Sequence, residues 1–192
     1  QAGFVFVSGR GTILGVDLYL SECVERLEGH IGFKRLVPAP ISASEIEFDG
    51  IIATHAHYDH FDYDAMHELT ASSKTRLFVS ENCDKLIDEL SIRKEIVSYV
   101  KPGMEFAVKD ISVRGISCDH GAAAPDAFGV LISMDGKRIY IAGDTCFHAE
   151  YKDEILRDGK IDVMIAPING AYGNLNEADC VALAEILAPE LV

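Results

Sequence analysis

Metal-ligating side chains are concentrated at residues 54–60, which read Thr-His-Ala-His-Tyr-Asp-His. The segment carries three imidazoles and one carboxylate, from His55, His57, Asp59 and His60, although the whole chain has only seven histidines. His55 and His57 are two positions apart, so an extended backbone directs both imidazoles to the same face. Imidazole and carboxylate donors together suit a borderline divalent cation such as zinc. The spacing therefore predicts a metal site, with a chance polar loop as the alternative.

Two further candidate ligands follow apolar segments later in the chain. His120 comes after residues 111–118, and Asp144 comes after residues 139–142. Four donors on one short loop cannot surround two cations, so we expect these later side chains to converge with His55 and His57 on one cleft. The alternatives are ordinary ones, because a histidine before a glycine can be a turn residue and Asp144 can form an Asx-turn.

Apolar periodicity and turn signals predict the elements that position these residues. Strands are predicted at 4–7, 12–16, 51–54, 77–79, 96–100, 105–109, 111–118, 127–134, 138–142 and 162–166. Helices are predicted at 61–71, 82–90, 149–157 and 177–188. Residues 17–49 are predicted to be mixed and loop-rich, because Pro38 and Pro40 interrupt any long helix. This order favours an α/β (α+β) fold, an αββα sandwich of two mixed β-sheets with outer helices.

Local signals sharpen three of these predictions. Asp135-Gly136 between two apolar segments predicts a tight hairpin. Asn176 is a plausible N-cap for the last helix, and residues 190–192 begin what we expect to be another strand.

Composition limits the classes of partner. The formal net charge of −14 argues against a nucleic-acid partner, which normally requires a basic surface. No apolar stretch approaches the roughly 18 residues of a membrane span, so no membrane partner is expected. The cysteines are odd in number, widely spread and in no metal-knuckle spacing: Cys23, Cys83, Cys118, Cys146 and Cys180. Reduced thiols in a cytoplasmic protein are therefore predicted, with a small-molecule substrate, and a homo-oligomer is left open.

The whole pattern resembles a known superfamily. His-x-His-x-Asp-His, a histidine at a later strand end, and Gly-Asp-Thr at 143–145 together resemble the metallo-β-lactamase-fold hydrolases over essentially the whole chain. Within that superfamily the chain is most similar to the L-ascorbate-6-phosphate lactonase group. Residues 53–62, 100–103 and 169–174 carry the likeness to this group. The first stretch is specific for the fold, whereas the other two are moderately specific for the group.

The resemblance implies a site with two divalent metal ions per full-length subunit, zinc or manganese. His55, His57 and His120 would hold one ion and Asp59 and His60 the other. Asp144 would bridge the two ions and, with Asp59, is an expected catalytic carboxylate.

Two cations that share a water molecule lower its pKa towards neutrality and so provide a hydroxide nucleophile. The expected reaction is the opening of a lactone or ester of a small sugar acid, with or without a phosphate group. Asp59 is expected to be a ligand first and a proton carrier second.

Several other residues have both a functional and an ordinary interpretation. Asn169, Tyr172 and Asn174 are candidates for substrate binding, against a glycine-rich turn that only needs permissive backbone angles. Lys34 and Arg35 could bind a substrate phosphate, although a solvated loop is favoured. Two more candidates lie beside the predicted ligands: Asp17, which either supports the metal loop or lies on a surface loop, and His148, for which the surface is favoured.

Alternative functions and the extent of the domain complete the sequence-based expectations. A phosphodiesterase or ribonuclease Z-like hydrolase and a catalytically inactive metal-binding domain are the alternatives. The resemblance also implies one domain over residues 1–192, lacking the first strand and the final strand-histidine segment of the fold. The second metal ion is accordingly expected to bind more weakly than the first.

Overall fold

The apolar segments that precede the candidate ligands form strands of two five-stranded sheets in the computed structural model. The structure describes residues 3–192. The chain divides into two units, one ending at Tyr99 and the other running from Val100 to Val192. Each unit contains one of the sheets.

The sheet of the first unit is mixed, with the strand order β1-β2-β3-β4-β5. The strands are Phe4–Val7 (β1), Ile13–Val16 (β2), Gly50–Ala53 (β3), Arg76–Val79 (β4) and Val97–Tyr99 (β5). β1 pairs antiparallel with β2, whereas the other neighbours are parallel. Since β2 and β3 are parallel, their carboxyl ends meet at one edge of the sheet, the edge at which α/β proteins place functional residues.

Three short helices lie between these strands in the chain. They are Cys23–Glu28 (α1), Met66–Leu69 (α2) and Asp84–Glu89 (α3), with 3₁₀ turns at Gly29–Ile31, Glu81–Cys83 and Lys94–Ile96. Every residue of β3 is buried, as is typical of a central strand with parallel neighbours. Ile51 of β3, Leu77 of β4, Met66 of α2 and Ile87 of α3 belong to one apolar core.

The sheet of the second unit has the strand order β10-β9-β8-β7-β6. The strands are Glu105–Val108 (β6), Ile111–Ser117 (β7), Phe128–Met134 (β8), Lys137–Ile141 (β9) and Val163–Ile165 (β10). β6 to β9 are antiparallel neighbours and β10 is parallel to β9. The predicted tight hairpin between β8 and β9 is confirmed, because Asp135 and Gly136 both have positive φ, 50° and 75°, as a type I′ turn requires.

Two helices, Tyr151–Ile155 (α4) and Glu177–Leu187 (α5), belong to the second unit, which also has a 3₁₀ turn at Gly121–Ala123. The predicted N-cap is confirmed: the Asn176 side chain accepts a hydrogen bond from the Asp179 backbone N–H, and Asp179 completes a capping box. Leu183 of α5 and Tyr140 of β9 share an apolar core. The helix therefore starts at a defined residue and packs along the sheet.

Two stretches differ from the sequence-based prediction. Within the predicted helix 61–71, only Met66–Leu69 is helical. The Asp62 side chain accepts hydrogen bonds from the backbone N–H groups of Leu20 and Ala65, and residues 63–65 form a turn before the helix. Within the predicted loop 17–49, Cys23–Glu28 is helical, although no regular apolar repeat marks it.

Leu191 forms a parallel bridge with Val163, as the predicted further strand would. Among residues 3–192, no helix has the length and apolar character that a membrane crossing requires.

Candidate metal centre

The histidine loop follows β3 directly, at the carboxyl edge of the first sheet. His55 is fully buried and His60 is 2 % exposed, whereas His57 and Asp59 are half-buried. The ring centroid of His55 lies 4.6 Å from that of His57 and 4.1 Å from that of His60. Nε2 of His55 is 2.9 Å from Nδ1 of His57. The fold thus brings three imidazoles together around the end of one strand.

Asp17, the residue after β2, contacts the histidine loop through its carboxylate. Its Oδ1 accepts a hydrogen bond from the Thr54 N–H at 2.7 Å, and its Oδ2 accepts one from the Thr54 hydroxyl at 2.9 Å. Oδ2 also lies 2.9 Å from Nδ1 of His60. Asp17 is 1 % exposed, so the surface-loop alternative is wrong. A carboxylate that binds one imidazole nitrogen orients the other nitrogen towards a metal ion.

His60 presents its second nitrogen on the side of Asp59. Nε2 of His60 is 3.8 Å from Oδ2 of Asp59, and the Asp59 side chain is 36 % exposed. The His60 ring therefore lies between the buried carboxylate of Asp17 and the accessible carboxylate of Asp59.

A second buried carboxylate, Asp62, fixes the far end of the loop. It is fully buried and accepts hydrogen bonds from the backbone N–H groups of Leu20 at 2.7 Å, Ser21 at 2.8 Å and Ala65 at 3.1 Å. The Ser21 hydroxyl also donates to it. Asp62 therefore ties the segment after β2 to the histidine loop. Its position two residues after His60 is the one signal in the sequence that marks it.

In the second unit, His120 and Asp144 follow β7 and β9. Nε2 of His120 is 3.7 Å from Oδ2 of Asp144, and His120 is 6 % exposed. The Asn174 amide donates to the same Oδ2 at 2.9 Å, and the Cys118 thiol donates to the Asp144 carbonyl at 3.1 Å. The Asp144 carboxylate is thus oriented by an amide, while its backbone is held by a neighbouring thiol.

The three candidate substrate residues near β10 occupy different environments. Asn174 is 9 % exposed and contacts Asp144, whereas Asn169 is exposed and Tyr172 is 72 % exposed. Gly170, Tyr172 and Gly173 all have positive φ, so this loop does use the permissive backbone that its glycines provide. Tyr172 adopts a left-handed backbone conformation, which is uncommon for a residue other than glycine.

The two basic candidates of the first unit also differ from each other. The Arg35 guanidinium donates to the carbonyls of Tyr19 at 2.6 Å and Ser21 at 2.9 Å and lies 4.0 Å over the Tyr19 ring. Lys34 is exposed. Arg35 therefore holds the segment after β2, and its role in substrate binding stays a prediction.

Several groups near these segments have shifted pKa values. Burial raises the pKa of the Cys23 thiol to about 11 and that of the Tyr19 hydroxyl to about 12. Hydrogen bonds to Asp119, and then to Glu150, raise the pKa of His148, and the same bond to His148 lowers the pKa of Asp119. Burial, followed by the hydrogen bond to Asp119, raises the pKa of Cys146.

The donor chemistry of the histidine loop fits a divalent cation. His55 Nε2 and His57 Nδ1 face each other at hydrogen-bond distance, and a buried carboxylate orients His60. Imidazoles backed by carboxylates are typical of zinc sites and also suit manganese.

Comparisons with known proteins agree with this architecture. A model of the β-lactamase superfamily domain matches residues 19–189. A UPF0173 metal-dependent hydrolase from Saccharolobus solfataricus is 28 % identical over 140 residues, which cover 71 % of this chain and 60 % of the relative. The chain thus spans less than two thirds of the length of that relative.

Two solved structures are similar over nearly the whole chain. The isothiocyanate hydrolase from Delia radicum gut bacteria superposes with a TM-score of 0.74 at 23 % identity, over 97 % of this chain and 78 % of that one. The metallo-β-lactamase fold protein YhfI from Bacillus subtilis superposes with a TM-score of 0.69 at 16 % identity, over 100 % and 76 %. The predicted fold class, two mixed β-sheets with helices, is confirmed by these likenesses and the family match.

Proposed function

We propose that this chain, which belongs to the β-lactamase superfamily, is a metal-dependent hydrolase. The observation that carries the proposal is the cluster of three imidazoles after β3, backed by the buried carboxylate of Asp17. The name of the Saccharolobus solfataricus relative, a metal-dependent hydrolase, supports it as well. Burial of a carboxylate costs free energy that hydrogen bonds must offset, and a metal-orienting role explains why Asp17 is kept beside His60.

The proposed ligands are the six residues that the sequence pattern selects: His55, His57, Asp59, His60, His120 and Asp144. We propose two ions per full-length subunit, zinc or manganese, because imidazole and carboxylate donors suit both. A divalent cation held there lowers the pKa of a water molecule and polarises a carbonyl group.

The protein side chains do the remaining work. Asp17 keeps Nδ1 of His60 occupied at 2.9 Å and thereby fixes the orientation of that ring. Asn174 holds Oδ2 of Asp144 with its amide. Asp59 is accessible enough to take a proton from an attacking water molecule and to return it to the leaving oxygen.

The proposed substrate is a lactone or ester of a small sugar acid, with or without a phosphate group. The net charge of −14 disfavours polyanionic substrates such as RNA. The loop 169–174 offers an exposed amide and an exposed aromatic ring, from Asn169 and Tyr172, which suit a hydroxylated ring.

Parallel assays test this proposal. The chain, loaded with zinc or with manganese, is offered a sugar-acid lactone, its phosphorylated form, a thioester and bis(p-nitrophenyl) phosphate. We expect the lactones to be hydrolysed faster than the phosphodiester. His57→Ala should remove the activity, whereas His67→Ala, on the exposed face of α2, should retain it.

The competing functions predict other results. A preference for the phosphodiester would favour a phosphodiesterase or ribonuclease Z-like enzyme and would overturn the lactonase assignment. Metal binding without turnover of any of the four substrates would favour the inactive metal-binding domain.

A further inference from the structure

Three different metal-ligating side chains meet in the second unit, and none of them is among the six proposed ligands. Oδ2 of Asp119 lies 2.9 Å from Nε2 of His148 and 3.4 Å from Sγ of Cys146. Sγ of Cys146 lies 3.3 Å from Nε2 of His148. A carboxylate oxygen, a thiol sulfur and an imidazole nitrogen thus form a triangle in which each atom faces the other two.

We propose that Asp119, Cys146 and His148 form an accessory binding site for a thiophilic divalent cation such as zinc. Tetrahedral zinc takes sulfur at about 2.3 Å and nitrogen or oxygen at about 2.0–2.2 Å. Neighbouring donors are then about 3.5 Å apart where one is sulfur and about 3.3 Å apart otherwise. The two sulfur edges of the triangle match, and the nitrogen–oxygen edge needs to open by only about 0.4 Å.

The imidazole is already oriented for this role. Nδ1 of His148 lies 3.0 Å from Oε1 of Glu150, so it can donate its proton there and leave the Nε2 lone pair directed at Asp119 and Cys146. A carboxylate bound to the outer nitrogen is the usual companion of a metal-ligating histidine. The ring also stacks on Tyr151, with centroids 4.8 Å apart and planes 24° apart.

The backbone holds the other two donors in place without help from a ligand. The Cys146 N–H donates to the Asp119 carbonyl at 2.9 Å, and the Asp119 N–H donates to the Thr145 hydroxyl at 3.0 Å. The side chains of Asp119 and His148 are 45 % and 28 % exposed, so a water molecule can complete the tetrahedron. This is the arrangement of a site that is formed in advance and open to solvent.

A protonated histidine between two carboxylates is the competing explanation. In that explanation the Cys146 thiol is a neutral hydrogen-bond donor to Asp119, whereas in the metal site it is a thiolate ligand that faces both other donor atoms. A thiolate ligand selects zinc, cobalt or cadmium over magnesium or manganese. The thiol therefore distinguishes the two explanations by experiment.

Titration of the purified chain with Co²⁺ tests the proposal. A thiolate bound to Co²⁺ gives a charge-transfer band in the near ultraviolet, whereas the six proposed ligands contain no sulfur and give none. We expect this band in the unmodified chain and its loss in Cys146→Ser. Cys118→Ser and Cys180→Ser, the other thiols of the second unit, should keep it.

His148→Phe provides a second variant, because it retains a ring that can stack on Tyr151 and removes only the donor nitrogens. We expect Co²⁺ to bind this site at least tenfold more weakly in His148→Phe, since loss of even an outer partner costs about 10–100-fold in affinity. Co²⁺ binding to the unmodified chain without a thiolate band would overturn the proposal, as would a band that survives Cys146→Ser. The result is independent of whether the chain hydrolyses lactones.

Discussion

Oδ2 of Asp17 lies 2.9 Å from Nδ1 of His60, and each of the two side chains is only 2 % exposed. Asp17 directly follows β2 and His60 lies in the loop after β3, and the register of these parallel strands pairs Val16 with Ile52. The same carboxylate accepts hydrogen bonds from both the N–H and the hydroxyl of Thr54. One buried side chain thereby couples the backbone at the start of the histidine loop to the ring at its end.

Asp17→Asn should weaken metal binding by about 10–100-fold and leave the fold intact. Asp17 has a φ of 49°, and asparagine tolerates this left-handed conformation as well as aspartate does. The substitution therefore removes charge without adding backbone strain. Competition with a chromophoric chelator measures the affinity. Asp64→Asn, which breaks an exposed pair with Arg26, is the matched control, and equal affinities for both variants would contradict the orienting role of Asp17.

Asn174→Ala and Asn169→Ala should have different effects, although both residues lie in one loop. Asn174 donates to the Asp144 carboxylate, so its loss should weaken metal binding and lower kcat, each by about 10–100-fold. Asn169 is exposed, so Asn169→Ala should raise KM and leave metal binding unchanged. Steady-state kinetics together with metal titration separate the two outcomes. A change in KM alone for Asn174→Ala would show that the amide serves the substrate and not Asp144.

Removal of metal should lower the thermal stability of the chain as well as its activity. A ligand that binds only the folded state stabilises it by about 2.7 kcal/mol at a concentration 100 times its Kd. Thermal unfolding with EDTA and with added zinc measures the difference. The zinc-induced rise in Tm should shrink in a variant that combines His57→Ala with Cys146→Ser, whereas His67→Ala should respond as the unmodified chain does. An unchanged Tm on chelation of the unmodified chain would argue against a resident metal ion.

Alkaline pH should destabilise the first unit through Cys23. Burial raises the pKa of this thiol from an ordinary 9.0 to about 11, so the unfolded chain ionises first as the pH rises. The stability that the neutral thiol contributes is complete below pH 9 and is lost between pH 9 and pH 11. Cys23→Ala lacks this thiol. Over this interval the unmodified chain should therefore lose roughly 1–2 kcal/mol more of its free energy of unfolding than Cys23→Ala does. Denaturant unfolding at several pH values measures the gap, and two parallel stability curves would contradict the prediction.

Local patterns account for the parts of the fold that the sequence predicts well. Asp135-Gly136 specifies a type I′ turn because both residues must have positive φ, and Asn176 caps α5 through hydrogen bonds within the same turn. The short helix Cys23–Glu28 was missed because it is too short to show a periodic apolar face. The predicted helix 61–71 is longer than the observed one, Met66–Leu69. Asp62 accepts hydrogen bonds from the backbone N–H groups of Leu20 and Ser21, which are distant in the sequence, so the local pattern does not show them.

The metal-ligating chemistry can be inferred from the amino acids alone, because the type and the spacing of ligands are local properties: His55, His57 and His60 lie within six residues after one strand. Which buried groups orient those ligands depends instead on how the strands are arranged in the folded chain. Thr54 and Asp17 are separated by 37 positions, and Asn174 and Asp144 by 30. Such partners are brought together by strand order and register, which depend on packing over the whole sheet and leave no mark in the neighbouring residues. The meeting of Asp119, Cys146 and His148 has the same origin, since the ends of β7 and β9 converge only once the second sheet has formed.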